Sequence, residues 1–456
     1  MNLESLNSPS TEAAAVGPLI SQATLSVDPS QILGPIKPVN GVNNGPFCLD
    51  GILDFSAEFR AAAFADVRTH DANYPCRNVC DINAVFPRED ADPTDPASYD
   101  FSLTDHYLKT IRDTGATITY RLGYTIDHHP IKRYSHPPKN FHHWAQVCLG
   151  IARHYNEGWA NGFENWVARW EIWNEPDNAP PGPNSPCWTG AFEEFIKLYE
   201  ITAKVLKSHN PEWQVGGPGA AAGGGCFATP AIEVFLEHCA KTGSPLDFYS
   251  WHTYESRPQE IQRLSREVRE GLEKFGFAAT ENILNEWRFG PNDEWDVIFR
   301  CPDPARKKEK AREMNSPAAA SFAAAVLLDM QDGPVSLANY YTGDTIPYFG
   351  MFDIHGTPLD PYQAFLCFAA LAKGSQQVAV CRDTATETLH AVATLGENGR
   401  VRVMAVNDSP RPVRLTLSLP GQTAPWKIEH AAFWAELAGN QLTLPAHAFA
   451  CVGGGT

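Results

Sequence analysis

The feature that most constrains this chain is a repetition. From about Gly34 to Lys373, short apolar runs of strand length alternate with longer amphipathic stretches of helix length, the pattern of consecutive βα units. The strand candidates, in order, are Pro35 to Asn40, Phe64 to His70 (FADVRTH), Thr117 to Gly123 (TITYRLG), Arg169 to Asn174 (RWEIWN), Gln214 to Gly217, Leu246 to His252 (LDFYSWH), Asn282 to Asn285 (NILN) and Val335 to Tyr341 (VSLANYY). Helix-like stretches lie between them, among them HYLKTIRDTG, closed by Gly115 as its C-cap, and WAQVCLGIARHYNEG. Eight strands with helices over roughly 330 residues predict an α/β fold, a (β/α)8 TIM barrel with long loops. An open doubly wound sheet is the competing arrangement, weakened because no GxGxxG turn follows the first strand.

After Lys373 the texture changes. LHAVATL, VRVMAVN, VRLTLSL, WKIEHAAF and QLTLPAHAFACV alternate in the manner of strands, with Pro, Gly, Asn and Asp between them, which predicts an accessory antiparallel β-sandwich over 374–456. The barrel is assigned to 34–373. Residues 1–33 form an N-terminal segment, a mobile lead-in of about 20 residues followed by TLSVD (Thr24 to Asp28), a candidate extra strand of the sandwich.

Composition removes several function classes. The 456 residues carry a formal charge of −17, so the basic footprint required by nucleic acid or an anionic membrane is missing. The basic run Arg306 to Arg312 (RKKEKAR) contains a Glu and reads as a solvated helix face. No segment reaches the ~18 uninterrupted apolar residues of a membrane span. The N-terminus shows neither a basic region nor an apolar run, and 11 Cys are scattered without a framework spacing; together these predict a cytoplasmic protein with reduced thiols. Cys76 and Cys80 lack the second ligand pair of a zinc site, and no metal or cofactor is expected. GGPGAAAGGG, Gly216 to Gly225, lacks the Lys-Ser/Thr ending of a phosphate loop and reads as a flexible fifth βα loop.

Chemistry gathers at the strand C-termini, the face where such barrels build active sites. The fourth strand runs into Trp173-Asn174-Glu175-Pro176-Asp177 and the seventh into Asn285-Glu286-Trp287. Two carboxyls on near-opposite strands of one mouth are what glycosidic cleavage needs: one protonated to donate to the leaving oxygen, the other ionised to attack the anomeric carbon.

WEIWNEPD resembles the acid/base motif of clan A glycoside hydrolases, and ILNEW resembles their nucleophile segment. With GVNNGP near the first strand, VRTHD at the second, YDFS before the second helix and SWHTY at the sixth, the chain is similar to glycoside hydrolase family 39, which holds β-xylosidases and α-L-iduronidases. The resemblance covers about Gly34 to Lys373. It implies a retaining exo-glycosidase, most simply a β-xylosidase acting on xylo-oligosaccharides or related β-glycosides. Glu175 would be the acid/base, Glu286 the nucleophile, and Asn174 a donor to the sugar 2-OH. His70 and His252 would bind substrate, Tyr254 would hold the nucleophile, and Trp287 would form an apolar wall. Asp344 and Tyr341, after the eighth strand, are further pocket candidates. The family allows self-association, so a homo-oligomer is compatible with the chain. Two departures bear on the substrate: LNEWRFG lacks the hydroxylated residue common before the nucleophile, and Arg288 to Met314 reads as an enlarged loop.

Other readings stay open at this stage. Glu175 can be a first-turn carboxylate answering a helix dipole, and Glu286 a loop acid. His70 can be a core histidine paired with Asp71, and His252 and Tyr254 can pack loops. His128-His129 lines a loop or subsite more readily than it binds a metal. The same mechanism also serves another sugar, as in an arabinosidase, a galactosidase, a glucosidase, an iduronidase-like enzyme using Arg288 for the substrate carboxylate, or an endo-acting polysaccharide hydrolase. A barrel that binds carbohydrate without turnover is the reading from a different class.

Overall fold

The computed structural model describes residues 21–72, 78–221, 230–291, 293–383, 386–422 and 424–455. Eight strands close into a barrel in chain order: Gly41–Asn43, Asp66–Thr69, Thr117–Leu122, Arg169–Ile172, Gln214–Ala220, Phe248–Glu255, Glu281–Phe289 and Leu337–Tyr340. Every neighbouring pair is parallel, and the eighth strand returns to the first through Asn339 beside Gly41. Crossover helices cover the outside, as parallel strands require.

Element edges differ from expectation where local pattern misleads. The first barrel strand is Gly41–Asn43, not Pro35 to Asn40; prolines at 35 and 38 withhold ladder donors, and Pro35 instead closes a strand of the accessory sheet. The helix Ser102–Arg112 is capped by Asp113, and Gly115 takes its positive φ of 93° two residues further on. Gly216 to Ala220 belong to the fifth strand, so the front of the glycine run is not loop; 222–229, like Cys76, lie outside the described residues. The enlarged loop expected at Arg288 to Met314 holds a π-helical turn, Asp296–Arg300, and a helix, Pro304–Glu313, with Arg288 and Phe289 belonging to the strand before it. On that helix Lys310 is buried between Asp293 and Glu313 rather than solvated.

The accessory domain is a mostly antiparallel sheet of nine hydrogen-bonded strands. Ser21–Pro35 runs through its middle, antiparallel to Gln376–Arg382 and parallel to Val413–Ser418. Its strands share an apolar core of their own, including Leu25, Val403, Leu415 and Val452. The helix Tyr362–Ala372 presents Phe365 and Phe368 as buried groups and packs between barrel and sheet, and Asp329 and Asp408 take His390 Nδ1 and Ser321 Oγ across the seam at 2.7 Å each. The nine described cysteines are free thiols. Among the described residues no helix is long and apolar enough to cross a membrane.

Candidate active site

Barrel interiors are usually filled by branched aliphatic side chains; here Ile283 and Leu337 pack with Phe248, while the buried carboxyl of Asp66 accepts from Thr119 and Asn339. Above them lies a layer of charged and polar groups. Arg68, on the second strand, is fully buried and sends its guanidinium in four directions: Nε to Glu171 Oε2 at 2.7 Å, Nη2 to Asn174 Oδ1 at 2.6 Å, and Nη1 to Asn43 Oδ1 and to Glu286 Oε2, both at 3.2 Å. Glu171 is closed off by Ser250 Oγ at 2.7 Å and by the Asn285 amide. A buried ion pair is tolerable only when its remaining hydrogen-bonding capacity is filled, and this layer fills it from five strands.

The two sequence-nominated carboxyls stand on this layer. Glu175 has a positive φ of 46° and its backbone N–H donates to Gly219 O at 2.9 Å, so the turn after the fourth strand is pinned to the fifth. Glu286 lies within the seventh strand, where the register slips between Leu284 and Glu286 relative to the sixth. That bulge places two consecutive side chains, Asn285 and Glu286, toward the axis, a recurrent use of bulges beside active sites. Oxygens of Glu175 and Glu286 and a nitrogen of His252 all lie within 4.8 Å of one another.

The surroundings of the two acids differ. Glu175 is buried, with His252 Nδ1 at 2.8 Å from Oε1, the Asn178 amide on Oε2 and Cys187 Sγ at 3.8 Å. Burial pushes its carboxyl up to about 7, with Asn178 and Arg68 opposing. Burial and the neighbouring Glu175 also raise Glu286, but there Arg68 and the Tyr254 hydroxyl hold it back; Tyr254 donates to Oε1. Burial takes His252 down to about 4, so its ring is neutral beside both acids. Arg68 and the Tyr254 hydroxyl both bond to Glu286 and neither bonds to Glu175, so of the two carboxyls Glu286 has the surroundings that favour a negative charge.

The other nominated residues divide. Asn174 is brought in, with Oδ1 on Arg68 and Nδ2 buried without a partner among the described residues. Tyr341 donates to Asp71 Oδ2 at 2.9 Å and lines the cleft. Asp344 lines a second cavity, bordered also by Asp71, and burial pushes its carboxyl up to about 7. His70 is fully buried, lines neither cavity and sits 3.4 Å from Asp71 Oδ2; burial and Arg68 hold it well below the usual histidine range, which is the core-histidine arrangement. Trp287 is not a cleft wall. It is fully buried, edge-on to Tyr340 in the apolar shell, because the strand alternation resumes after the bulge and turns it outward. Arg288 is spent as well, bonded to the carbonyls of Tyr348 and Met314.

Reading by motif missed Arg68, Glu171 and Gly219. Arg68 and Glu171 each stand within a strand, and a charge in the middle of a barrel strand was the available signal. Gly219 has a φ of 63°, and a Cβ there would come within 3.3 Å of Glu171, Arg68 and His252, so only glycine leaves the charge layer undisturbed.

The cleft above the carboxyls measures about 430 Å³ and is lined by both glutamates together with Asp71, Tyr254, Tyr341, Trp295 and Phe299, among others. Comparison with known proteins agrees with this architecture. The chain is 26% identical over 302 residues to a β-xylosidase of Caldicellulosiruptor saccharolyticus, covering 60% of this chain and 55% of that protein. It is 36% identical over 124 residues to a β-xylosidase of Geobacillus stearothermophilus, covering 26% and 22%. The chain thus matches little more than half the length of the first and about a fifth of the second. Among solved structures, a glucosidase from Croceicoccus marinus superposes with a TM-score of 0.75 at 23% identity, covering 96% of this chain and 99% of that one. A family 39 β-xylosidase from Caulobacter crescentus gives 0.67 at 16%, covering 95% and 100%. The profile of glycosyl hydrolases family 39 matches residues 57–371, and with a match of that extent the chain belongs to glycosyl hydrolase family 39.

Proposed function

We propose that this protein is a retaining, exo-acting glycosidase that cleaves β-xylosides of xylo-oligosaccharides or related β-glycosides by double displacement. The observation that carries the reading is the approach of the two carboxyls, whose oxygens come within 4.8 Å. Retaining enzymes hold their carboxyls about 5 to 5.5 Å apart, whereas inverting ones need about 6.5 to 9.5 Å to admit a water between acid and sugar.

Glu286 is the nucleophile. Its carboxylate attacks the anomeric carbon while the glycosidic C–O bond breaks and Glu175 passes its proton to the departing oxygen. Water then attacks the same carbon, Glu175 takes the water's proton, and the ester bond to Glu286 breaks, giving the sugar with its configuration kept. Asn174, held by Arg68, offers its Nδ2 to the sugar 2-OH. Tyr254 and Arg68 keep Glu286 ionised and aimed. A cleft of this size suits a chain end rather than a polymer laid across it. A uronide fits less well: neither cavity is lined by Arg or Lys among the described residues, and Arg288 is committed to backbone carbonyls.

The test is the Glu286→Ala variant assayed on an aryl β-xyloside within a panel of aryl glycosides. Activity should fall at least a thousandfold, and azide should restore turnover with inverted product; activity within tenfold of the parent would sink the assignment. Glu175→Ala should lose activity chiefly on poor leaving groups, which need the proton most. Binding without turnover across the whole panel would favour a non-catalytic carbohydrate-binding barrel.

A further inference from the structure

The cleft has two walls of different character. Around the carboxyls the polar groups are engaged with one another: Tyr254 with Glu286, Tyr341 with Asp71, Asn178 with Glu175, and Asp177 Oδ1 with the Ala221 N–H at 3.0 Å. The outer wall comes from the insertion after the seventh strand. There Trp295, 41% exposed, and Phe299, 58% exposed, stack with ring centroids 5.8 Å apart and planes 11° from parallel. Trp295 also meets Tyr254 edge-on at 5.1 Å, and Phe299 faces His128 at 6.1 Å. On the Glu175 side, Ile126 and Pro186 line the same cleft.

Large aromatic rings left open to water over a cleft mark a surface that something covers. In a glycosidase, the group on the departing oxygen must lie beside the proton donor. A second sugar in that place would present several hydroxyls to a wall of Trp295, Phe299, Ile126 and Pro186, while the polar atoms left without a partner among the described residues, Asn174 Nδ2 and Asp71 Oδ1, lie at the sugar end with the carboxyls. An apolar alcohol needs only the rings.

We propose that the leaving group taken by this cleft is an apolar aglycone, an aryl or long-chain alkyl alcohol rather than a second sugar, and that Trp295 and Phe299 hold it. This rests on the glycosidase reading above for the position of the sugar, and it narrows the substrate class of that site from xylo-oligosaccharides to the related β-glycosides that carry an apolar aglycone.

The experiment uses the Glu286→Gln variant and compares binding of methyl β-xyloside, n-hexyl β-xyloside and xylobiose by calorimetry. The hexyl glycoside should bind at least about tenfold tighter than the methyl one, the gain expected from burying two or more methylenes, and tighter than xylobiose. Adding Trp295→Ala and Phe299→Ala together should bring the hexyl-to-methyl ratio near unity. Equal binding of hexyl and methyl glycosides, tighter binding of xylobiose, or a ratio indifferent to the two ring deletions would each overturn the proposal. Ring deletions that alter sedimentation without altering the ratio would assign the rings to contact between copies, and overturn it equally. Turnover by the parent protein is read separately. Hydrolysis of methyl and hexyl glycosides at equal kcat/KM would defeat the aglycone proposal and leave the glycosidase standing, whereas no hydrolysis of any glycoside would defeat the glycosidase reading itself.

Discussion

The barrel mouth and the accessory sheet bury similar kinds of backbone with opposite kinds of side chain. The sheet closes over Leu25, Val403, Leu415 and Val452, each interchangeable in principle with another hydrophobe of the same volume. The mouth closes over Arg68, Glu171, Asn174, Ser250 and Asn285, each tied to a named partner. Burying charge is costly unless every group is paired; other buried charges, such as the Arg121–Asp81 pair and Lys310, serve packing, but the layer at the mouth gathers two carboxyls and a guanidinium directly beneath the cleft. The sheet is structure, and the mouth is structure bent to a purpose.

The largest effect that contrasts the two regions should come from Arg68→Met. It leaves Glu171 and Glu286 buried without their cation, for a loss of about 3–5 kcal/mol, read by urea unfolding, and it should cut kcat/KM far more than stability alone explains. Near-normal activity in a folded Arg68→Met protein would break the contrast. Next is Leu415→Ala, fully buried in the sheet. A cavity there should cost about 2–4 kcal/mol while kcat/KM, measured below the melting range, stays within twofold; a large catalytic loss would show that the sheet shapes the site.

A smaller effect sharpens the comparison within the mouth. The Glu175 carboxyl is pushed up to about 7 in the folded protein from an ordinary 4.5. At pH below both values the group is protonated folded or unfolded and contributes no pH dependence. As pH rises from 4.5 to 7 the unfolded chain ionises freely while the folded one resists, so stability declines, by ~3 kcal/mol once pH exceeds 7. Glu175→Gln removes the ionisation, so its Tm should exceed that of the parent by several degrees at pH 8 and match it near pH 4. A gain independent of pH would contradict the raised value. In the same terms, kcat/KM should fall as pH climbs through about 7, where the acid loses its proton.

Much of this was legible in the chain. Alternating apolar runs give strands because side chains on a strand repeat every two residues, and Asn174-Glu175 and Glu286 stood out because polar residues ended otherwise apolar strands. His252 and Tyr254 came only from the resemblance of SWHTY at the sixth strand to the family. What escaped depended on phase and on distant neighbours. Trp287 looked like a cleft residue until the bulge at Asn285 reversed the alternation. Arg68 sat two residues before the more conspicuous His70, and nothing local announces that its partners come from three other strands. Gly219 was hidden in a run of glycines that resembled a loop, and its need for a bare Cα arises only from Glu171, Arg68 and His252 folding around it.

The claim at the centre is that Glu286 forms a covalent bond to the sugar. The direct measurement is mass spectrometry of the protein after incubation with a 2-deoxy-2-fluoro glycoside bearing an activated leaving group, using the sugar that the panel identifies. The account predicts a stoichiometric adduct on the peptide spanning Glu281–Phe289, located at Glu286, with the parent glycoside hydrolysed to product of retained configuration. An adduct on another residue, or turnover with inverted product and no adduct, would contradict it.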